Sequence, residues 1–182
     1  MKFASLTIRP AVREDLPVFF LYLNDHLREN GSGGTAMFMP IPRSESVISP
    51  EKQTSFRTGI DTPVGQSGWR HGWLALTPDG SIAGHIDLRA RPEKTCAHRA
   101  LLGMGVHRDY RKMGLGAHLV KVAMDWAATQ KIDWVDLEVL SLNAAARKLY
   151  ERSGFTQVGQ IDDMFRIDGE SLGYTFMAKK TG

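Results

Sequence analysis

The chain has 182 residues, 42% of them hydrophobic and 24% charged, the balance of an ordinary globular protein of single-domain size. Its one cysteine, Cys96, excludes an intramolecular disulfide and a cysteine-rich metal site. A net charge of +3 spread over scattered Lys and Arg lacks the basic block of a nucleic-acid tail, and no run reaches the roughly 20 apolar residues of a membrane span.

The N-terminal stretch MKFASLTIRPAVRED meets charge almost at once and has no apolar h-region, so no secretory signal is expected and a cytoplasmic location is. Residues 4–10, ASLTIRP, alternate as a first strand closed by Pro10. Leu16, Phe19, Phe20, Leu23 and Leu27 then recur at helical spacing, and Asn30-Gly31 ends that helix. Residues 31–68 mix Gly, Pro and Ser with an apolar patch at Met37 to Ile41. They read as loop with one short helix near 50–59.

Trp73–Leu76 and Ile82–Leu88 read as a hairpin joined by TPDG. RPEKTCAH is the next turn, and RALLGMGV, ending at Val106, completes a three-stranded meander. After DYRKMGLGAHLV comes a helix with Leu119, Val120, Ala123, Met124, Trp126 and Ala127 on one side. WVDLEVL alternates as a strand. NAAARKLYERSG is a short helix with Asn143 at its N-cap and Gly154 at its C-terminal cap. FTQVGQI and LGYTFMAKK close the chain as strands around Asp168-Gly169. The whole is one domain of α/β class built on a mixed sheet.

The stretch Asp109–Val120 raises a chemical question. A helix N-terminus points unpaired N–H groups outward and carries partial positive charge, so it attracts anions. Gly114 and Gly116 leave those donors unshielded, while Arg111 and Lys112 are expected to add mobile positive charge at the rim; the composition suits a diphosphate. The Walker pattern is excluded because Ala117-His118 stand where Lys-Ser/Thr is required. The dinucleotide fingerprint is excluded because Leu119 occupies its third small position.

R-x-x-G-x-G, read as Arg111, Gly114 and Gly116 after a strand ending in Val106, resembles the acetyl-CoA pyrophosphate motif of the GNAT superfamily of N-acyltransferases. NAAARKLYERSGF resembles that family's later motif N-x-x-A-x-x-L-Y-x-x-x-G-F, with Asn143, Ala146, Leu149, Tyr150, Gly154 and Phe155 in register. The resemblance covers about 70–180 and the first strand and helix, and does not reach 31–68.

It implies a mostly antiparallel central sheet flanked by helices and acetyl-CoA as co-substrate. The implied cofactor-binding residues are Met104, Gly105 and Val106 on the strand, Arg111, Lys112, Met113, Gly114, Leu115, Gly116 and Ala117 around the diphosphate, and Asn143 on the cofactor arm. Tyr150 is the implied acid for the departing thiolate. Seven positions separate Asn143 from Tyr150, nearly two turns, so both face one side of their helix.

The general base stays open. Some members of the family carry a Glu on the strand before the glycine motif, but RALLGMGV has no carboxylate, which leaves Asp87, Glu138, His85, His98 or water. His107, His118 and Cys96 form no metal-site spacing, and no metal is expected. GWRHGW and MFMPIP are candidate acceptor-pocket or core patches. The expected reaction is acetyl transfer to a primary amine on a small molecule or peptide, with 31–68 as the acceptor-binding segment. A non-catalytic acyl-CoA-binding module is the alternative, and a homodimer fits an exposed sheet edge of this fold.

Overall fold

A computed structural model describes residues 5–182. Its sheet has seven strands, β1 (Thr7–Pro10), β2 (Arg70–Leu76), β3 (Ile82–Ala90), β4 (Arg99–Val106), β5 (Trp134–Leu140), β6 (Thr156–Ile167) and β7 (Glu170–Lys180). Four helices flank it: α1 (Leu16–Leu27), α2 (Pro50–Gly59), α3 (Leu115–Thr129) and α4 (Ala144–Arg152). The spatial order is β1-β2-β3-β4-β5-β7-β6. Neighbours are antiparallel except β4 and β5, which run parallel because α3 carries the chain across between them.

The expected α/β mixed sheet is present, with differences in extent. Ala4, the expected start of the first strand, lies outside the described residues; the described part is Thr7–Pro10. The first helix is shorter than VREDLPVFFLYLNDHLREN, because a separate turn of 3₁₀ helix, Arg13–Asp15, precedes Leu16-Pro17. The short helix expected near 50–59 is α2, capped by the Ser49 hydroxyl accepting from Lys52 N at 3.2 Å and opened by Pro50. FTQVGQI is too short a reading of the sixth strand, which continues through Asp162 and Asp163 to Ile167 while pairing with β7.

Two apolar layers sandwich the sheet. On one face Leu119, Val120, Ala123 and Ala127 of α3 bury themselves against Ile86, Leu88, Val135 and Leu137. On the other, Leu16, Phe19, Phe20 and Leu23 of α1 meet Phe56 of α2 and Leu74. Each such side chain contributes about 1.5–3 kcal/mol on full burial. Trp126 is only half-buried and stacks on His71, centroids 4.4 Å apart, while Trp69 and Trp73 of GWRHGW lie in the α3-side core.

Residues 31–49 are irregular but anchored. Asn30, almost wholly buried, accepts from Phe38 N (2.8 Å) and Met39 N (2.9 Å) and donates to Met39 O and Ile41 O. Arg43 reaches Asp168 (2.9 Å) and Glu170 (2.8 Å) at the β6–β7 turn, and Met37 packs on Leu140, Ile167 and Leu172. The segment therefore roofs the α1/α2 face of the sheet across β5 and β7. Among the described residues no helix is long and apolar enough to cross a membrane.

Candidate active site

The parallel pair is short. β4 and β5 register only at Arg99↔Trp134, Ala100↔Val135 and Leu101↔Asp136. Beyond that β4 pairs with β3 alone, from Leu102 to Val106, and β5 pairs with β7 alone, from Leu137 to Leu140. The two strands part, and the backbone of Met104, Gly105 and Val106 borders the gap. Gly105 is required there by close approach: a Cβ on it would lie 2.7 Å from His85 Cε1 and 2.8 Å from His26 Nε2. Its carbonyl accepts from Tyr22 Oη at 3.2 Å, and that hydroxyl also meets His85 Nδ1 at 3.3 Å.

The glycine loop continues from β4. A 3₁₀ turn, Arg108–Tyr110, leads through Arg111 to Gly114, which caps α3 at φ 91° with no side chain to satisfy the helix. The first intrahelical bond is His118 N to Gly114 O, 3.1 Å. From Lys112 to Ala117 no backbone N–H has an acceptor among the described residues, so six consecutive amides stand open at the positive end of a fifteen-residue helix. Gly116 serves packing: a Cβ would lie 3.0 Å from Leu149 Cδ2 and 3.3 Å from Met104 Cε, so α3, α4 and β4 converge there.

One expectation is corrected. The Arg111 guanidinium is not mobile charge at the rim: Nε donates to Val106 O at 3.0 Å and Nη2 pairs with Glu29, just beyond the C-terminal end of α1. Arg108 is likewise held by Asp25 (2.6 Å) and Glu29 (2.7 Å). These arginines brace the loop against α1. Lys112, exposed and at φ 58°, makes no ion pair among the described residues and is the loop cation open to an anion.

On α4, Asn143 Oδ1 accepts from Ala146 N at 3.2 Å, a helix cap that leaves its amide nitrogen able to donate. Tyr150 is buried beside Phe155, centroids 5.8 Å apart, and burial holds its hydroxyl far above the ordinary phenol range. It is therefore a neutral donor at physiological pH.

The four base candidates separate. Asp87 is buried and bound by Arg70 at 2.6 Å; although burial opposes its charge, Arg70 and Arg89 hold its carboxyl below the ordinary range. His85 is buried, which lowers it to about 3. His98 precedes β4 at the end opposite the glycine loop, so it is not brought to the gap. Glu138 is exposed on β5 beyond the point of divergence, on the face of Asp136, with Tyr174 Oη 3.4 Å from it.

Residue-by-residue reading missed Tyr22 and His26 beneath Gly105, and Arg70 and Arg89 around Asp87. The second pair left a signal: His85, Asp87 and Arg89 place polar groups at every second position of an otherwise apolar strand, all on one face. Among the described residues no group of three or more His, Cys, Asp or Glu is close enough to hold a metal ion.

Comparison with known proteins agrees with this geometry. The family model described as Acetyltransferase (GNAT) family matches residues 42–155. An uncharacterized N-acetyltransferase, YycN, from Bacillus subtilis (strain 168) is 24% identical over 155 residues, covering 84% of this chain and 94% of its own. A GNAT-family acetyltransferase structure from Streptococcus pneumoniae superposes with a TM-score of 0.77 at 25% identity, covering 97% of this chain and 99% of that one. A phosphinothricin acetyltransferase from Sinorhizobium meliloti, solved with AcCoA, has the same fold, with a TM-score of 0.76 at 19% identity over 98% of this chain and 89% of that one.

Proposed function

This chain belongs to the acetyltransferase (GNAT) family, and from that premise we propose that it moves the acetyl group of acetyl-CoA onto a primary amine by direct attack. The observation that carries this reading is the run of six open amides from Lys112 to Ala117, set where β4 leaves β5 and beside the helix that bears Tyr150. Those amides, with Lys112, are the groups to hold the diphosphate. We assign the pantetheine arm to the free edge of Met104–Val106 and the Asn143 amide, and the thioester oxygen to a β4 N–H; the absence of a β5 partner along that edge supports this.

Acyl transfer makes one C–N bond, breaks one C–S bond and moves one proton from nitrogen to sulfur overall. Glu138 takes the proton lost by the attacking amine; it is an exposed carboxylate on β5 beyond the point of divergence, with no arginine paired to it among the described residues. Tyr150 gives a proton to the departing thiolate; its hydroxyl is protonated and so has the proton to give. A developing negative charge on the thioester oxygen meets a main-chain donor with no reorganisation at the moment of reaction.

A panel of amines scored for release of free CoA, repeated with Tyr150→Phe, tests the assignment. The variant is expected to keep its affinity for CoA and lose about 10²-fold in kcat. Acetylation by the variant at the parent rate contradicts the acid role. Binding of CoA with no release for any amine returns the chain to a non-catalytic acyl-CoA module. We also propose that a second copy pairs through the open edge of β6.

A further inference from the structure

On the α1/α2 face two arginines, Arg70 and Arg89, reach one carboxylate, Asp87, and Lys52 adds a third positive charge nearby without pairing to it. Arg70, side chain 5% exposed, donates to Asp87 at 2.6 Å and to Ser55 Oγ at 3.3 Å, and its guanidinium lies 3.9 Å over the Phe56 ring. Arg89 makes only a long contact to the same Asp87 oxygen, 3.4 Å, which Arg70 already occupies. Lys52, on the exposed side of α2, has no carboxylate within ion-pairing distance among the described residues, and burial together with Arg89 and Arg70 lowers it to about 8. Asp15, on the adjoining cavity wall, is taken up by Arg9 through two bonds of 2.7 Å. The local sum is an excess of positive charge with donors to spare.

This excess sits at the gap. A Cβ on Gly103 would lie 3.0 Å from Arg89 Nη1 and 3.1 Å from Asp87 Oδ1, so both groups overlie the β4 backbone where it faces the parted strands. On the opposite bank stand Glu138 and Tyr174, whose hydroxyl lies 3.4 Å from that carboxylate and is held above the ordinary phenol range by burial and by Glu138, with Arg89 only a minor opposing influence. The cleft is therefore bipolar, cationic on the α2 and β3 side and anionic on the β5 side.

We propose that the acceptor is a small amine that also carries a carboxylate, with Arg89 and Lys52 binding the carboxylate while the amine faces Glu138. A fork-shaped guanidinium with unfilled donors suits a planar carboxylate, and a lysine on a flexible stem adds a second positive charge. A polyamine or a lysine side chain would bring a second cation against Arg89. The proposal rests on the acetyltransferase reading and narrows its acceptor.

The test pairs each of a panel of L-amino acids with its own C-terminal amide, using the full chain, saturating acetyl-CoA and CoA release as readout. The acid is expected to exceed its amide roughly tenfold in kcat/KM, the effect of one charge-assisted interaction. The amide has the less basic amine and more of it neutral, so this preference cannot arise from the nucleophile. Arg89→Gln is expected to erase the difference by raising KM for the acids more than for the amides, with Lys52→Gln losing a smaller part. Amides that react as well as acids, or an Arg89→Gln that lowers both equally, overturns the proposal. No release from any amine contradicts the acetyltransferase reading instead. Calorimetric binding of the same pairs to the CoA-saturated protein then decides the pocket by itself: tighter binding of the acid, lost in Arg89→Gln, supports it, and equal binding refutes it.

Discussion

His26 and His85 press against the place where Gly105 has no side chain, and burial lowers them to about 4 and about 3. In the unfolded chain each takes up a proton near its ordinary value of about 6.5. Between that pH and 4 the unfolded chain binds more protons than the folded one, so stability is complete above 6.5 and falls as the pH drops, by up to about 1.4 kcal/mol per pH unit for each imidazole. The melting temperature is expected to hold near neutrality and decline steadily from pH 6.5 to 4, with a shallower decline in His26→Gln. A flat profile contradicts the neutral, buried pair. Little of this was legible in the sequence, where His26 is one polar residue on a helix. The phenol and amide of α4 were legible, because Asn143 and Tyr150 sit in a local pattern whose spacing alone puts them on one side. Asn30 shows the reverse: it reads as a helix stop, yet its side chain organises Phe38 to Ser46 through bonds no local pattern encodes.

At the scale of elements, α3 and α4 could be read because apolar spacing, caps and glycines agree with one another. The second half of β6 could not, since Asp162 and Asp163 interrupt its apolar alternation. It persists because β7 pairs with it to Ile167↔Glu170, absorbing register breaks at Gln157/Gly159 and Ile161/Phe165, with Asp163 at φ 50°. The outer edge of β6 is unpaired, and Val158, Ile161 and Met164 are 65%, 46% and 43% exposed on it. An unpaired edge that exposes apolar side chains is a template for another strand. Sedimentation is expected to show twice the 20.3 kDa mass, and Val158→Lys to shift the population toward single chains. A parent protein that sediments as a single chain removes the β6 edge as an interface.

For the whole molecule, the sheet divides the work. α3 and α4 with the glycine loop take one side of the gap between β4 and β5, while α1, α2 and the anchored segment 31–49 enclose the other. The open loop proposed for the cofactor could be anticipated because its groups are backbone amides, and glycines in a short run mark where amides lie bare. The proposed acceptor cleft was obscure because Lys52, Arg70, Arg89 and Glu138 come from four elements and are brought near one another only through tertiary packing. The acid-and-amine cleft, the neutral acid on α4 and the open loop form one account only if the loop holds the diphosphate. Backbone amide chemical shifts during titration with CoA test that most directly. The account predicts the largest changes at Lys112 to Ala117, smaller ones at Met104 to Val106, and loss of both in Gly114→Asp. Saturable CoA binding that leaves those six amides unmoved contradicts it.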